Sequence, residues 1–148
     1  VFLRPRLAFR LPDVLSLKIS QSGDADLWKI IEVGQDMDVN VLCRDLCGAF
    51  ALEDMADYLL SVPDRNGFPL EYSANGSKRS LNKANGKMLQ ELPLSAGTTL
   101  TLYPTHSRAA YLKLEILEKG KGNPYLMYPR VTEQSPKMIE LEKMDELF

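Results

Sequence analysis

The alternation of apolar and polar residues near the start of the chain predicts two adjacent strands. From Val14 to Gln21, leucine or isoleucine occupies every second position, and serine or lysine lies between them. This period of two is typical of a strand with one buried face. A second apolar run follows from Leu27 to Val33, after a turn at Ser22-Gly23-Asp24-Ala25. Because so few residues separate the two runs, we expect an antiparallel hairpin.

The next apolar pattern has the period of a helix. Five residues recur three or four positions apart along one stripe: Val39, Leu42, Cys43, Leu46 and Phe50. A helix over 39–50 would bury this stripe against the hairpin. Either Asp36 or Asp38 can begin the helix, because an aspartate carboxylate accepts hydrogen bonds from the free N–H groups of a first turn.

Shorter alternating runs predict the rest of the sheet. We expect strands at 58–62 and 98–103. A brief edge strand is expected at Phe68-Pro69-Leu70, because proline cannot donate a hydrogen bond to a central ladder. The segment 73–87 is rich in Asn, Ser, Gly and Lys and is therefore expected to be a solvent-exposed loop.

The residues after Pro104 predict a second, smaller unit. An alternating run at 111–118 is followed by a polar loop, and 125–131 could return as the partner strand of a β-hairpin. A hairpin alone is marginally stable, so we expect it to pack on the main domain or on a continuation of the chain. Ser135-Pro136 then predicts the start of a short helical tail.

Three segments carry a resemblance to a known superfamily. They are LSLKISQSGDADLWKIIEVGQDMDVNVLCRDLCGAF, YLLSVPDRNGFPL and MLQELPLSAGTTLTLYP. In this order they resemble the ubiquitin-like β-grasp superfamily, in a style closest to the bacterial YukD-like proteins. The resemblance implies an α+β fold, in which a mixed sheet wraps around one helix, with the C-terminal β-hairpin and short helical tail appended. It divides the chain into a basic apolar N-terminal extension (1–13), a ubiquitin-like domain (14–104) and the hairpin with its tail (105–148), which could also begin a further domain.

The same resemblance implies a noncovalent protein–protein adaptor, such as a component of a bacterial secretion-type assembly. Conjugation requires a free diglycine end, whereas this strand continues into Pro104-Thr105-His106-Ser107-Arg108. One alternative is a regulatory N-terminal fragment of a larger enzyme or transport subunit. Another is a phosphate-ligand or nucleic-acid binder that uses the basic loop from Lys78 to Lys87. The second alternative is disfavoured because no aromatic residues are interleaved with the lysines.

Composition and charge indicate a soluble globular protein. The chain has 148 residues and a formal net charge of -2, so no overall positive field favours a nucleic-acid partner. Its apolar runs are too short to cross a bilayer. Cys43 and Cys47 lie four residues apart on the predicted helix, a spacing that does not permit a disulfide. We therefore expect a reducing compartment, the cytoplasm.

No catalytic, metal-binding or cofactor-binding residue is predicted. His106 is the single histidine and has no partner at ligand spacing. We expect Cys43 to lie in the core and Cys47 at its edge. Lys119-Gly120-Lys121-Gly122 lacks the frame of a phosphate-binding loop and is expected to be a hairpin tip.

Four residues are predicted to bind a partner. Trp28 and Ile30 are expected on the sheet face that points away from the helix, where large apolar side chains can anchor an interface. Lys78 and Arg79 are expected to contribute charge from the basic loop. In the alternative interpretation, the apolar N-terminal segment or the C-terminal hairpin covers Trp28 and Ile30.

Overall fold

The protein has an α+β fold: in the part of the chain that the structure describes, one eight-stranded mixed sheet is accompanied by two α-helices. A computed structural model describes residues 13–50, 58–76, 82–104 and 111–147. Within them the strands are β1 (Asp13–Gln21), β2 (Asp24–Gly34), β3 (Tyr58–Pro63), β4 (Pro69–Ser73), β5 (Asn82–Lys83), β6 (Thr99–Pro104), β7 (Leu112–Lys121) and β8 (Arg130–Gln134). The helices are α1 (Val39–Ala49) and α2 (Pro136–Leu147). The strand order across the sheet is β5-β4-β3-β6-β7-β1-β2-β8.

The predicted first hairpin is confirmed. β1 and β2 are antiparallel, with Leu15 opposite Val33 and Leu17 opposite Ile31. β2 begins earlier than the apolar pattern indicated, because the turn occupies only Ser22 and Gly23. Gly23 has a φ of 79°, a conformation that glycine adopts without steric cost.

The predicted central helix is also confirmed. The Asp38 carboxylate accepts hydrogen bonds from the backbone N–H groups of Asn40 (2.9 Å) and Val41 (3.2 Å) and so begins α1. The apolar stripe faces the sheet, and its residues belong to the hydrophobic core. Cys47 was expected at the edge of the core but is fully buried, with 0% exposure, because it shares the inner face with Cys43.

The predicted C-terminal hairpin is wrong. β7 lies in the middle of the sheet, antiparallel to both β1 and β6, and β8 pairs with β2 instead. The physical reason is burial: the apolar side chains of β7 face the core only from a central position, whereas a projecting hairpin would leave them in water. The expected packing on the main domain does occur, but strand by strand, and the segment contributes to the same sheet as the earlier strands.

At the β5–β4–β3 side of the sheet, the strands are longer and more numerous than predicted. β4 extends to Ser73 and pairs with β3 on one side and with β5 on the other, so it is not an edge strand. β5 lies within the segment predicted as a solvent loop, although both of its residues are exposed. Residues 77–81 of that segment lie outside the described residues, as does the N-terminal extension apart from Asp13.

Candidate functional site

An apolar groove lies between α1 and the β2–β8 side of the sheet. It has a volume of about 160 Å³ and its lining is mainly apolar. Its floor includes Ile19 of β1 and Ile31 of β2, while α1 supplies Leu42 and Leu46. The groove is therefore bounded by α1 on one side and by β1, β2 and β8 on the other.

Exposed residues line the groove on its helix side and on its strand side. Ala49, which is exposed at the end of α1, lies at the helix side. On the strand side lie Pro129 and Val131, and Val131 is 46% exposed although it stands opposite the buried Ile31. Part of the apolar lining is therefore accessible to solvent from this side.

The charges around the groove are largely neutralised by one another. Lys29 forms an ion pair with Glu142 of α2, and Arg130 forms one with Glu32 of β2. Asp45 of α1 is exposed and has no ion-pair or hydrogen-bond partner among the described residues. Among the described residues that line the groove, Asp45 is therefore the one charged side chain without an oppositely charged partner.

A loop of well-defined conformation follows β7 and leads to the groove. The Asn123 side-chain oxygen accepts a hydrogen bond from the Tyr125 N–H (2.9 Å), and the Asn123 N–H donates to the Tyr128 hydroxyl (3.0 Å). The Leu126 N–H also donates to the Asn123 carbonyl, at 3.1 Å. These bonds fix the loop while it presents Tyr125 at 92% exposure and Met127 at 88%.

The loop and the groove form a continuous surface. A neighbouring depression is lined by Gly34, the exposed Asp36, Met37, Tyr128 and Pro129, and both Met37 and Pro129 also line the groove. Large apolar side chains with this exposure are uncommon on a surface that contacts only water, and clusters of them mark interaction sites. We define the loop 123–129 together with the groove as the loop–groove surface.

The predicted site residues lie elsewhere. Trp28 and Ile30 are half-buried on β2. The Lys18 ammonium lies over the Trp28 ring, 5.1 Å from its centroid. The Trp28 backbone N–H and carbonyl both bond Ser135, at 3.2 and 3.0 Å. Partner contact at Trp28 and Ile30 stays a prediction.

Lys78 and Arg79 lie outside the described residues, as does His106. Sequence reasoning also missed Tyr125 and Met127, because the run from 125 to 131 was interpreted as a strand. Pro124 directly precedes this run and Pro129 lies within it. The two prolines could have identified 124–129 as a loop, since neither can donate a hydrogen bond to a ladder.

The buried thiols do not form a reactive site. Burial raises the pKa of the Cys43 thiol far above its usual range, with the neighbouring Cys47 as a second cause. Burial also raises the pKa of Cys47 to about 12. Both side chains are therefore uncharged thiols near neutral pH, and the thiolate is the form that reacts or binds metal.

Two further properties concern the described part of the chain. Residues 13–50, 58–76, 82–104 and 111–147 contain no group of three or more His, Cys, Asp or Glu side chains that could hold a metal ion. In these same ranges neither helix is long and apolar enough to cross a membrane.

Comparison with known proteins gives a structural neighbour. The chain is similar to a protein of unknown function, MM3350, from Methanosarcina mazei Go1, with a TM-score of 0.72 and 15% sequence identity. The match covers 93% of this chain and 82% of the other. At this identity the likeness concerns the fold alone. No family model and no curated protein matches the chain in sequence.

Proposed function

We propose that this chain is a noncovalent protein–protein interaction module and that it binds its partner through the loop–groove surface. The main support for this proposal is the exposure of Tyr125 (92%) and Met127 (88%) on a loop whose backbone is fixed by hydrogen bonds. A tyrosine on a fixed backbone has only two side-chain torsions to order on binding, and methionine adapts to an irregular partner surface. Both properties favour an interface.

The ubiquitin-like β-grasp architecture belongs to the same proposal. The β1–β2 hairpin and α1 come first, and β3, β4 and β6 follow, in the order that the resemblance implies. Since β1 and β6 are each antiparallel to β7, they run in the same direction. On this proposal β7 is a strand added between the first and last strands of the grasp. The YukD-like resemblance adds a bacterial secretion-type assembly in the cytoplasm as the proposed context.

The test compares two exposed apolar sites on the same protein. Tyr125→Ser/Met127→Ser removes both anchors of the loop, while Phe68→Ser removes a side chain that is 68% exposed at the β3–β4 turn. Partners are captured from an extract of the source organism and identified, and their affinities for the purified variants are measured. We expect the double variant to bind at least about tenfold more weakly, as is usual when interface anchors are truncated. Phe68→Ser should bind as the wild type does.

A third variant, Trp28→Asp, tests the sheet face in the same experiment. Circular dichroism first establishes that each variant is folded. A partner that is lost by Trp28→Asp but kept by the loop variant would assign binding to the sheet face and contradict the proposal. Equal losses in the Phe68 and loop variants would indicate nonspecific apolar adhesion and would also contradict it.

A further inference from the structure

β8 is the last strand on one side of the sheet. In the strand order, no described strand lies beyond it, so its outer backbone groups pair with no strand of the described chain. An unpaired strand edge is a template for another extended chain, since the N–H and C=O groups of a strand are best satisfied by a neighbouring strand. The groove abuts this edge, because Pro129, Arg130 and Val131 line it.

The groove has room for one large apolar side chain. Its volume is about 160 Å³, and Leu42, Leu46 and Ile31 contribute to its apolar lining. An apolar cavity of roughly 150 Å³ holds a molecule the size of benzene. A phenylalanine or leucine side chain of a partner therefore fits.

The charged residues that line the groove indicate which charge a bound segment should carry. Lys29 and Arg130 are already paired with carboxylates, so a second acidic group gains little from them. Asp45 is unpaired among the described residues and lies on the helix side of the groove. A lysine or arginine next to the apolar anchor would pair with Asp45, whereas an acidic residue would be repelled.

We propose that β8 and the groove together bind an extended, basic segment of a partner protein. The segment adds a ninth strand to the edge of β8, places one phenylalanine or leucine in the groove and sets a lysine or arginine beside Asp45. This inference rests on the proposed function and names the chemistry of the partner. β8 has five residues and an irregularity between Val131 and Glu133, so the added strand makes few backbone hydrogen bonds. The apolar anchor therefore contributes a large share of the affinity.

The test uses three end-blocked peptides of eight residues and the full chain labelled with nitrogen-15. The first peptide alternates lysine with apolar residues around a central phenylalanine. The second replaces each lysine with glutamate, and the third carries proline next to the phenylalanine. We expect the first peptide to shift the amide signals of 130–134 and 42–50. The glutamate peptide should bind more weakly by about threefold or more, the scale of an exposed ion pair. The proline peptide should bind about tenfold more weakly, because proline cannot join the ladder.

Matched variants of α1 locate the anchor. Ala49→Trp fills the groove, while Val41→Trp places the same side chain at an exposed, uncharged helix position that does not line it. We expect Ala49→Trp to weaken binding of the lysine peptide by about tenfold, because a filled groove admits no second side chain. Val41→Trp should leave it unchanged. Asp45→Asn should abolish the preference for the lysine peptide over the glutamate peptide.

Several results would overturn the inference. Equal binding of the proline peptide would exclude strand addition. Shifts centred on Trp28, or no binding of any peptide at millimolar concentration, would exclude this edge as the site. If the Tyr125→Ser/Met127→Ser variant loses its native partner while the peptides fail, the proposed function stands and strand addition does not.

Discussion

β7 and the β8–α2 segment come from the same part of the chain but are held by different forces. β7 is central, and its side chains at Leu112, Leu114 and Ile116 are at most 1% exposed. No residue of β8 is buried, and Met138 is the one apolar residue of α2 that belongs to the described core. Instead, three ion pairs join this segment to β2: Lys29–Glu142, Arg130–Glu32 and Lys137–Asp24.

This difference separates the part that maintains the fold from the part that borders the candidate site. Each large buried side chain contributes about 1.5–3 kcal/mol. Opening the sheet at β7 would expose several such side chains and is therefore costly. Ion pairs near the surface contribute about 0–1 kcal/mol each and weaken with salt. We therefore expect β8 and α2 to open locally under conditions in which β7 stays protected.

The largest expected effect is the loss of stability when a side chain of β7 is truncated, compared with a truncation in β8. Leu114→Ala should lower the free energy of unfolding by about 2–5 kcal/mol, because it leaves a cavity in a closed core. Val131→Ala should lower it by less than about 1 kcal/mol, because the Val131 side chain is half in water already. Urea unfolding curves of the two variants give both values. Similar losses of unfolding free energy in the two variants would mean that β8 is packed as tightly as β7 and would contradict the difference between the two segments.

An intermediate effect is expected at Ser135, which joins α2 to β2. Its hydroxyl oxygen accepts hydrogen bonds from the backbone N–H groups of Met138 and Trp28, both at 3.2 Å. Ser135→Ala should cost about 1–2 kcal/mol, since it removes a helix cap. Hydrogen exchange should accelerate in α2 and remain unchanged in β7.

The control for this variant is Ser95→Ala, at an exposed serine whose hydroxyl pairs with that of Thr98. It should leave the exchange of α2 unaltered. Faster exchange throughout β7 in Ser135→Ala would show that the segment and the sheet unfold together, contrary to the comparison.

The smallest effect concerns the exposed pair of Asp24 and Lys137. The hydrogen bond from Lys137 lowers the pKa of Asp24 below its ordinary value of 3.8, so the stabilisation is present above that value and is lost as the pH falls through the lowered pKa. The same bond raises the pKa of Lys137 above 10.5, so the stabilisation is present below 10.5 and is lost as the pH rises through the raised pKa. Between these limits we expect little dependence on pH from this pair.

An NMR titration of the Asp24 carboxyl group measures this effect. Lys137→Ala should move its midpoint upward towards 3.8. Lys143→Ala, at another exposed lysine of α2, should not move it. An unchanged midpoint in Lys137→Ala would show that this ion pair does not contribute to holding α2 on β2.

Local patterns were sufficient to predict some elements closely. The stripe of α1 and the carboxylate of Asp38 lie within a few residues of each other, and the helix has the predicted start and inner face. The alternation in β1 likewise predicted its buried side. In each case the signal and the structure that it specifies are close together in the chain.

The candidate site could not be predicted in the same way. Val131 lies opposite Ile31 although the two residues are far apart in the sequence, and the groove that they line with α1 exists because β8 pairs with β2. Tyrosine and methionine also occur in buried strands, so the residue types at 125 and 127 do not predict exposure. The tertiary structure shows that both side chains are exposed. Apolar character predicts a contact but does not specify which surface makes it.

Periodicity and capping act over a few residues, so they were sufficient to predict the α+β class, the first hairpin and the capped central helix. The three-dimensional arrangement was needed to show that β7 is central, that β8 is the last described strand on its side of the sheet and that the loop–groove surface is exposed. Strand order depends on which distant edges offer the most apolar area to bury, and the pattern within one strand is the same for several partners. The fold of each element is thus local information, while the place where a partner can bind is a property of the whole sheet.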